Sequence, residues 1–321
     1  MVAKDKKKLF VYTLTVIVFL VVIDFTAGFI LEKFYTSAKS GICYQENYSM
    51  TKTNQEVLLY GSSRCAFHYV PSILEEKMNK TVYNCGREGT GLFYHYGLLL
   101  ATLERYDPKL IVLDLDYRDI YKWDGMFDTG ILNEHSPFYH RVSDEFDELL
   151  TIDGPKEAIK LESNLYRYNS KFFRIITGNL VTEGRDNLQG YRPLDGKWKH
   201  EITKLDESKL VVDNRKLEYV QKFIKKAQSK GVKVVIMASP CYTLVSDKLF
   251  SPLAKVAAQN KVKFVNYSND KRLLDHREYF KDDFHLNTEG AKVYSGIVAE
   301  EIKRFETEII PSRTILTSVG F

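Results

Sequence analysis

Residues 55–64 read QEVLLYGSSR, a short apolar run that stops at a glycine and is followed at once by two serines and an arginine. A run of that length, closed by a turn residue, has the pattern of a strand buried on both faces. The pattern recurs downstream with helices between. Residues 71–80 put Ile73, Leu74 and Met78 on one helical face, and 81–84 form a second short strand closed by Cys85 and Gly86. Residues 91–106 carry apolar side chains at helical spacing and stop at Asp107 and Pro108, and 110–115, LIVLDL, is a third strand. An amphipathic helix over 215–228 ends at Lys230 and Gly231, and 232–238, VKVVIMA, is a fourth strand. A helix over 247–259, a fifth strand over 262–266 and a long helix over 288–305 complete the series. Strands that alternate with helices through short connections predict an α/β fold: a three-layer parallel sheet with helices on both faces and right-handed crossovers.

The stretch 121–214 interrupts this alternation and is too long for a loop inside a compact domain. It leaves the carboxyl end of strand three, the end where open α/β sheets place ligands. It reads as an insertion that forms a cap or substrate wall, with helical pieces at 155–162 and 166–176 and turns at 184–187 and 193–196. Its Trp123, His135, His140 and tyrosines are of a kind that contacts sugars or fills a core. The same two readings apply to the 21 Tyr and 19 Phe of the whole chain.

Residues 9–31 hold one charge, Asp24, and are long enough for a helix that crosses a hydrocarbon core of about 30 Å. Lys4, Lys6, Lys7 and Lys8 precede them, which keeps the N-terminus (1–8) cytoplasmic and sends the rest across. A cleaved signal would have a shorter apolar core, of about 7–15 residues. An uncleaved anchor is therefore expected, with Asp24 near the outer interface, a stalk over 32–53, an α/β domain over 54–306 and a tail over 307–321. That makes a single-pass membrane protein with an extracytoplasmic domain, periplasmic or at the cell surface. The four lysines hold most of the net charge of +4, so the charge does not argue for a nucleic-acid partner. Cys43, Cys65, Cys85 and Cys241 show no zinc spacing and imply neither metal nor cofactor; three full disulfide pairings and free buried thiols all stay open.

Chemistry concentrates in three pieces at strand ends. Gly61-Ser62-Ser63-Arg64 places a serine at a strand-to-helix turn, its oxygen over the sheet edge and helix amides nearby. The run 84–91, NCGREGTG, follows strand two, and its glycines let the backbone approach a ligand. The run 282–290, DDFHLNTEG, precedes the last helix. Its spacing lets Asp282 reach the ring of His285, fix the tautomer and stabilise the imidazolium formed when histidine takes a serine proton. Asn287 or Thr288 can cap the helix that follows.

These three pieces resemble the SGNH (GDSL-like) hydrolase superfamily, in element order over most of 54–305. Gly61-Ser62-Ser63 is similar to its first block, Gly89 to its second-block glycine, and Asp282 with Phe284, His285, Leu286 and Gly290 to its closing block. The resemblance implies a flavodoxin-like sheet and a nucleophile at Ser63 (block alignment favours it over Ser62). It further implies His285 as base, Asp282 as its orienting carboxylate, and an oxyanion hole from the N–H groups of Ser63 and Gly89. Arg64 and Glu88 would line the rim. The third block departs from the family: Arg118 stands where an asparagine would complete the oxyanion hole. Arg118 substitutes for it, another donor from the insertion does, or the hole is incomplete.

The Gly-Ser-Ser-Arg start, the anchor and the insertion resemble membrane-bound relatives that serve cell-envelope polymers, in teichoic-acid D-alanylation and polysaccharide O-acetylation. The likeness implies an acylated polysaccharide substrate and a polytopic membrane O-acyltransferase as partner. Esterase and acyltransferase differ only in the acceptor that reaches the acyl-enzyme. The altered third block also fits an inactive glycan-binding or scaffold protein. A phosphorylated donor is a further alternative, but the phosphate-loop lysine is missing and it leaves Asp282 and His285 without a role.

Overall fold

The computed structural model describes residues 2–123, 129–180 and 188–309; the turn expected at 184–187 and most of the tail 307–321 lie outside them. The chain forms two compact units, one from 1–53, 91–107 and 123–187, the other from 54–90, 108–122 and 188–321.

The second unit holds the sheet. Among the described residues its strands are β1 (Val57–Gly61), β2 (Val82–Asn84), β3 (Leu110–Asp114), β4 (Thr203–Lys204), β5 (Lys233–Ala238), β6 (Thr243–Leu244) and β7 (Lys263–Asn266). Five are parallel neighbours in the order β2-β1-β3-β5-β7, while β4 and β6 pair separately. Counting only the strands of the main sheet, the order is 2-1-3-4-5, the flavodoxin-like arrangement, with its switch point between β1 and β3. Side chains alternate across the strands. Val57, Leu59, Leu110, Val112, Val235 and Met237 face one way, onto Leu74 of α4 (Pro71–Met78) and Tyr294, Val298 and Ile302 of α12 (Thr288–Ile309). Their neighbours face the other way, where Phe223 of α9 (Asn214–Ser229) meets Tyr60 edge-on at 6.1 Å and α10 (Ser251–Gln259) packs beside it. The result is a three-layer α/β fold.

The insertion expected over 121–214 is narrower. Its ends are drawn together by the antiparallel bridge of Tyr121 with Val212, and 188–214 belongs to the sheet unit. Backbone bonds explain this: Asn84 N–H donates to Gln189 O at 2.9 Å, Arg192 N–H to Ala66 O at 3.0 Å, and Trp198 N–H to Phe280 O at 2.7 Å.

The other unit contains α1 (Val2–Thr36), α2 (Gly41–Thr51), α5 (Leu92–Leu103), α6 (Asp144–Leu150), α7 (Pro155–Leu161) and α8 (Phe172–Leu180). Helix α1 is long and apolar enough to cross a membrane, and its side chains from Leu9 to Ile23 are exposed. The stalk expected over 32–53 is not one: α1 runs on to Thr36, and α2 buries Cys43, Glu46, Asn47, Ser49 and Met50. Its polar residues are held by distant partners. Glu46 lies 3.5 Å from the fully buried Lys171, which also meets Glu134 at 2.6 Å, and Arg105 donates to Ser49 O and Thr53 O. All four cysteines are buried and outside any disulfide.

Candidate active site

β1 ends at Gly61, and Ser62 stands at the position before the short helix α3 (Ser63–His68), with no capping bond from its side chain. The two serines differ in environment. Ser62 is buried and its carbonyl accepts the Ala66 N–H at 3.1 Å, whereas Ser63 is partly exposed, with Oγ 2.8 Å from Nε2 of His285. The structure thus brings Ser63, not Ser62, against the imidazole.

His285 sits in the turn before α12. Its Nδ1 is 2.9 and 3.0 Å from the two carboxylate oxygens of Asp282, and Asp282 Oδ1 also accepts the amides of Phe284 and His285, each at 2.8 Å. Burial opposes the charge on Asp282, but the His285 ring and the two amides outweigh it and hold the carboxyl below its ordinary range. Asn287 fixes the turn from the other side: Oδ1 accepts the Gly290 N–H at 3.1 Å, and Nδ2 donates to Gly196 O and Glu278 O at 2.8 and 2.7 Å. Hydroxyl, imidazole and carboxylate stand in series, within ordinary hydrogen-bond reach of about 2.6–3.2 Å.

The loop after β2 is laced onto the same corner. Asn84 Nδ2 donates to Cys65 O and Tyr69 O, at 2.8 and 2.9 Å, and Arg87 N–H donates to Gly61 O at 3.0 Å. A Cβ on Gly86 would lie 2.3 Å from Ala66 N, so only glycine allows this approach, and Gly89 has a left-handed φ of +70°. Glu88 is half-exposed and forms an ion pair with Arg192, whose guanidinium lies 5.8 Å over the Phe67 ring. Phe67 in turn packs edge-on against His285 at 5.2 Å.

One sequence expectation changes. Arg64, expected at the rim, is only 2% exposed. It donates to Ser239 O at 3.1 Å and Leu115 O at 3.4 Å and lies 3.9 Å from Asp116, so it braces the strand ends from beneath. Arg118, one of three readings left open for the third block, is held against the Asp116 carboxylate through Nε at 2.8 Å and through Nη2, with its guanidinium 5.1 Å over the ring of Phe284. Its neighbours form a buried charged floor. Burial pushes Asp114 up to about 6 although Arg64 and Ser239 pull the other way, and burial with the Asp116 charge pushes Asp119 up to about 7. Among the described residues no group of three or more His, Cys, Asp or Glu side chains is placed to hold a metal ion.

The sequence reading missed His68. It is fully buried at the end of α3, and its Nε2 accepts the Leu286 N–H at 3.0 Å. Burial first, then His285 and Arg64, push it well below the ordinary histidine range. The signal available was a histidine five residues beyond the candidate nucleophile, at the end of the same short helix.

Sheet order and side chains together define an α/β protein with a hydrogen-bonded Ser–His–Asp series at the carboxyl edge of a flavodoxin-like sheet. No family model and no curated protein matches the chain. Solved structures do. A Bacteroides fragilis protein assigned as an acylhydrolase aligns at 13% identity and TM-score 0.40, over 79% of this chain and 89% of its own. A Streptococcus pneumonia protein assigned as a platelet activating factor aligns at 11% identity and TM-score 0.42, over 92% and 98%. An acetyl xylan esterase aligns at 12% identity and TM-score 0.39, over 79% and 99%. The likeness is loose, and the functional reading rests on the chain's own side chains.

Proposed function

We propose that the chain is a membrane-anchored, extracytoplasmic serine esterase or O-acyltransferase of the SGNH type that moves a small acyl group on a cell-envelope polysaccharide. The observation that carries this reading is the 2.8 Å approach of Ser63 Oγ to His285 Nε2, backed by Asp282 on Nδ1. As Ser63 Oγ bonds to the acyl carbonyl carbon, His285 takes its proton and Asp282 stabilises the imidazolium. The N–H groups of Ser63 and Gly89 receive the developing oxyanion, where loss of one donor costs on the order of 10²–10³ in rate. The carbonyl re-forms, the leaving alcohol takes the proton from His285, and the acyl-enzyme passes its group to water or to a sugar hydroxyl. Helix α1 anchors the chain with its lysines in the cytoplasm, beside a polytopic O-acyltransferase that supplies or receives acyl groups.

A fluorophosphonate serine probe tests the core of this. Labelling is expected in the parent and in S62A and absent in S63A. Labelling of S63A at the parent level would overturn the assignment. Incubation with an acetyl donor and an oligosaccharide acceptor then separates the two activities: acetylated sugar means transferase, free acetate alone means esterase. One observation favours a second reading, an inactive glycan-binding or scaffold protein: the ion pair that engages Arg118 with Asp116. Absence of labelling in every background supports it.

A further inference from the structure

We infer that the unit built on α1 is itself immersed in the membrane surface, with the exposed face of α8 seated in the lipid interface beside the span. The inference rests on α1 being a transmembrane helix and goes beyond that reading by assigning a second, interfacial contact.

The first observation is Asp24. Its carboxylate accepts the Ser163 hydroxyl, the Asn164 N–H at 2.8 Å and the Leu165 N–H at 3.0 Å. One turn further along α1, a Cβ on Gly28 would lie 2.4 Å from the Asn164 Cβ, so the glycine lets the turn at 163–165 press directly on the helix. Both contacts fall inside the apolar stretch 9–31. A hydrocarbon core of about 30 Å takes roughly 20 residues at about 1.5 Å each. Counted from Leu9, it ends near Gly28, so the turn lies at or below the upper edge of the apolar layer. There a lone carboxylate is costly, and the turn supplies the donors that water cannot.

The second observation is the exposed face of α8. Phe172, Phe173, Ile176 and Leu180 occupy one face of α8, opposite the buried Ile175 and Gly178, and Phe173 is 79% and Leu180 76% exposed. Leu165 and Ile159 extend the same exposed apolar set. The far end of α8 is tied to the outer end of α1: Asn179 Nδ2 donates to Phe34 O at 2.7 Å, and Lys39 N–H donates to Gly178 O at 2.9 Å. The chain from 163 to 180 is thus tied to α1 twice, at Asp24 and at Phe34, and the exposed face of α8 lies in sequence between those ties. On α1 itself Phe25, Phe29 and Phe34 are exposed, as are Lys33 and Lys39 at the outer end. An exposed apolar face on a segment tied twice to a lipid-facing helix, once at lipid depth, is occupied by lipid, as in helices that lie in the headgroup and acyl boundary.

The full-length protein is reconstituted in phosphatidylcholine and phosphatidylglycerol vesicles, as F173W and separately as F19W, and parent emission is subtracted. F173W is expected to be quenched at least twofold by lipids brominated near the headgroup and shielded from aqueous iodide. F19W is expected to respond to lipids brominated deep in the acyl chains. Quenching of F173W by iodide but not by bromolipids, with F19W quenched as expected, overturns the interfacial contact alone. Protection of F173W from both quenchers, varying with protein-to-lipid ratio, means a second copy covers the face and also overturns it. Loss of F19W quenching means that α1 does not span, and both readings fall.

Discussion

The ring of His68 accepts the backbone N–H of Leu286, the residue that follows His285, at 3.0 Å. Because that nitrogen accepts, the proton of the neutral ring sits on Nδ1. The helix that begins with Ser63 therefore ends on the turn that carries His285, and one bond ties the candidate nucleophile's element to the candidate base's. Leu286 is fully buried, so H68L leaves its N–H unpaired, at about 1–3 kcal/mol. The expected outcome is a lower unfolding midpoint and roughly tenfold slower fluorophosphonate labelling per folded molecule, with partial recovery in H68Q, which restores an acceptor. If H68L labelled at the parent rate once corrected for folded fraction, His68 would be a core residue and nothing more.

Asp114 and His68 give stability opposite dependences on pH. Burial pushes Asp114 up to about 6, against about 3.9 in an unfolded chain. Between those values the folded state keeps a proton that the unfolded state has released, so this contribution is present in acid and lost as pH rises towards 6. His68 is pushed well below its ordinary value. Below about 6.5 the unfolded state takes a proton that the folded state refuses, and stability falls with acid. The two slopes offset in the parent. In D114N the first is gone, so acid should destabilise the variant more steeply, by up to about 1.4 kcal/mol per pH unit between about 6 and 4. Urea unfolding of both proteins across that range checks this, and parallel stability curves would refute it.

Asp282 is held in its charged form by the His285 ring and two amides. D282N keeps an oxygen for the amides but presents an N–H₂ group to the ring. Nδ1 then becomes an acceptor, and the proton moves to the nitrogen that faces Ser63. The fold should survive while labelling of Ser63 slows on the order of 10³–10⁴. A stopped-flow or gel time course with matched circular dichroism spectra measures both. An unchanged rate would remove Asp282 from the series.

The strands were legible because their signal is local. Runs such as 57–61 and 110–114 carry their own apolar content and their own closing residues, and the structure places strands there. The glycines and the run from Asp282 to Gly290 were legible for the same reason. Helix α2 was not, because Glu46 is buried against Lys171, more than a hundred residues away, and Ser49 O is held by Arg105, contacts that leave no period in the sequence. Arg64 failed in the same way. An arginine beside a candidate nucleophile looks like a rim residue until Leu115 and Ser239, from two other strand ends, are seen to enclose it.

Arg118 separates stability from chemistry. Asp116 is 1% exposed, and its carboxylate is held by the Arg118 guanidinium and amide, with Arg64 at 3.9 Å. Removing Arg118 strips a buried carboxylate of its nearest cation, a loss that typically costs about 3–5 kcal/mol. R118A should therefore unfold at much lower denaturant, while the folded fraction labels Ser63 within about tenfold of the parent rate. An oxyanion donor would behave the other way: R118K would preserve a cation near Asp116 and most of the stability, yet slow acylation on the order of 10²–10³. Measuring unfolding and labelling on both variants decides between the two, because the ion pair and the oxyanion role shift different observables. A slow, fully stable R118K would return Arg118 to the reacting centre.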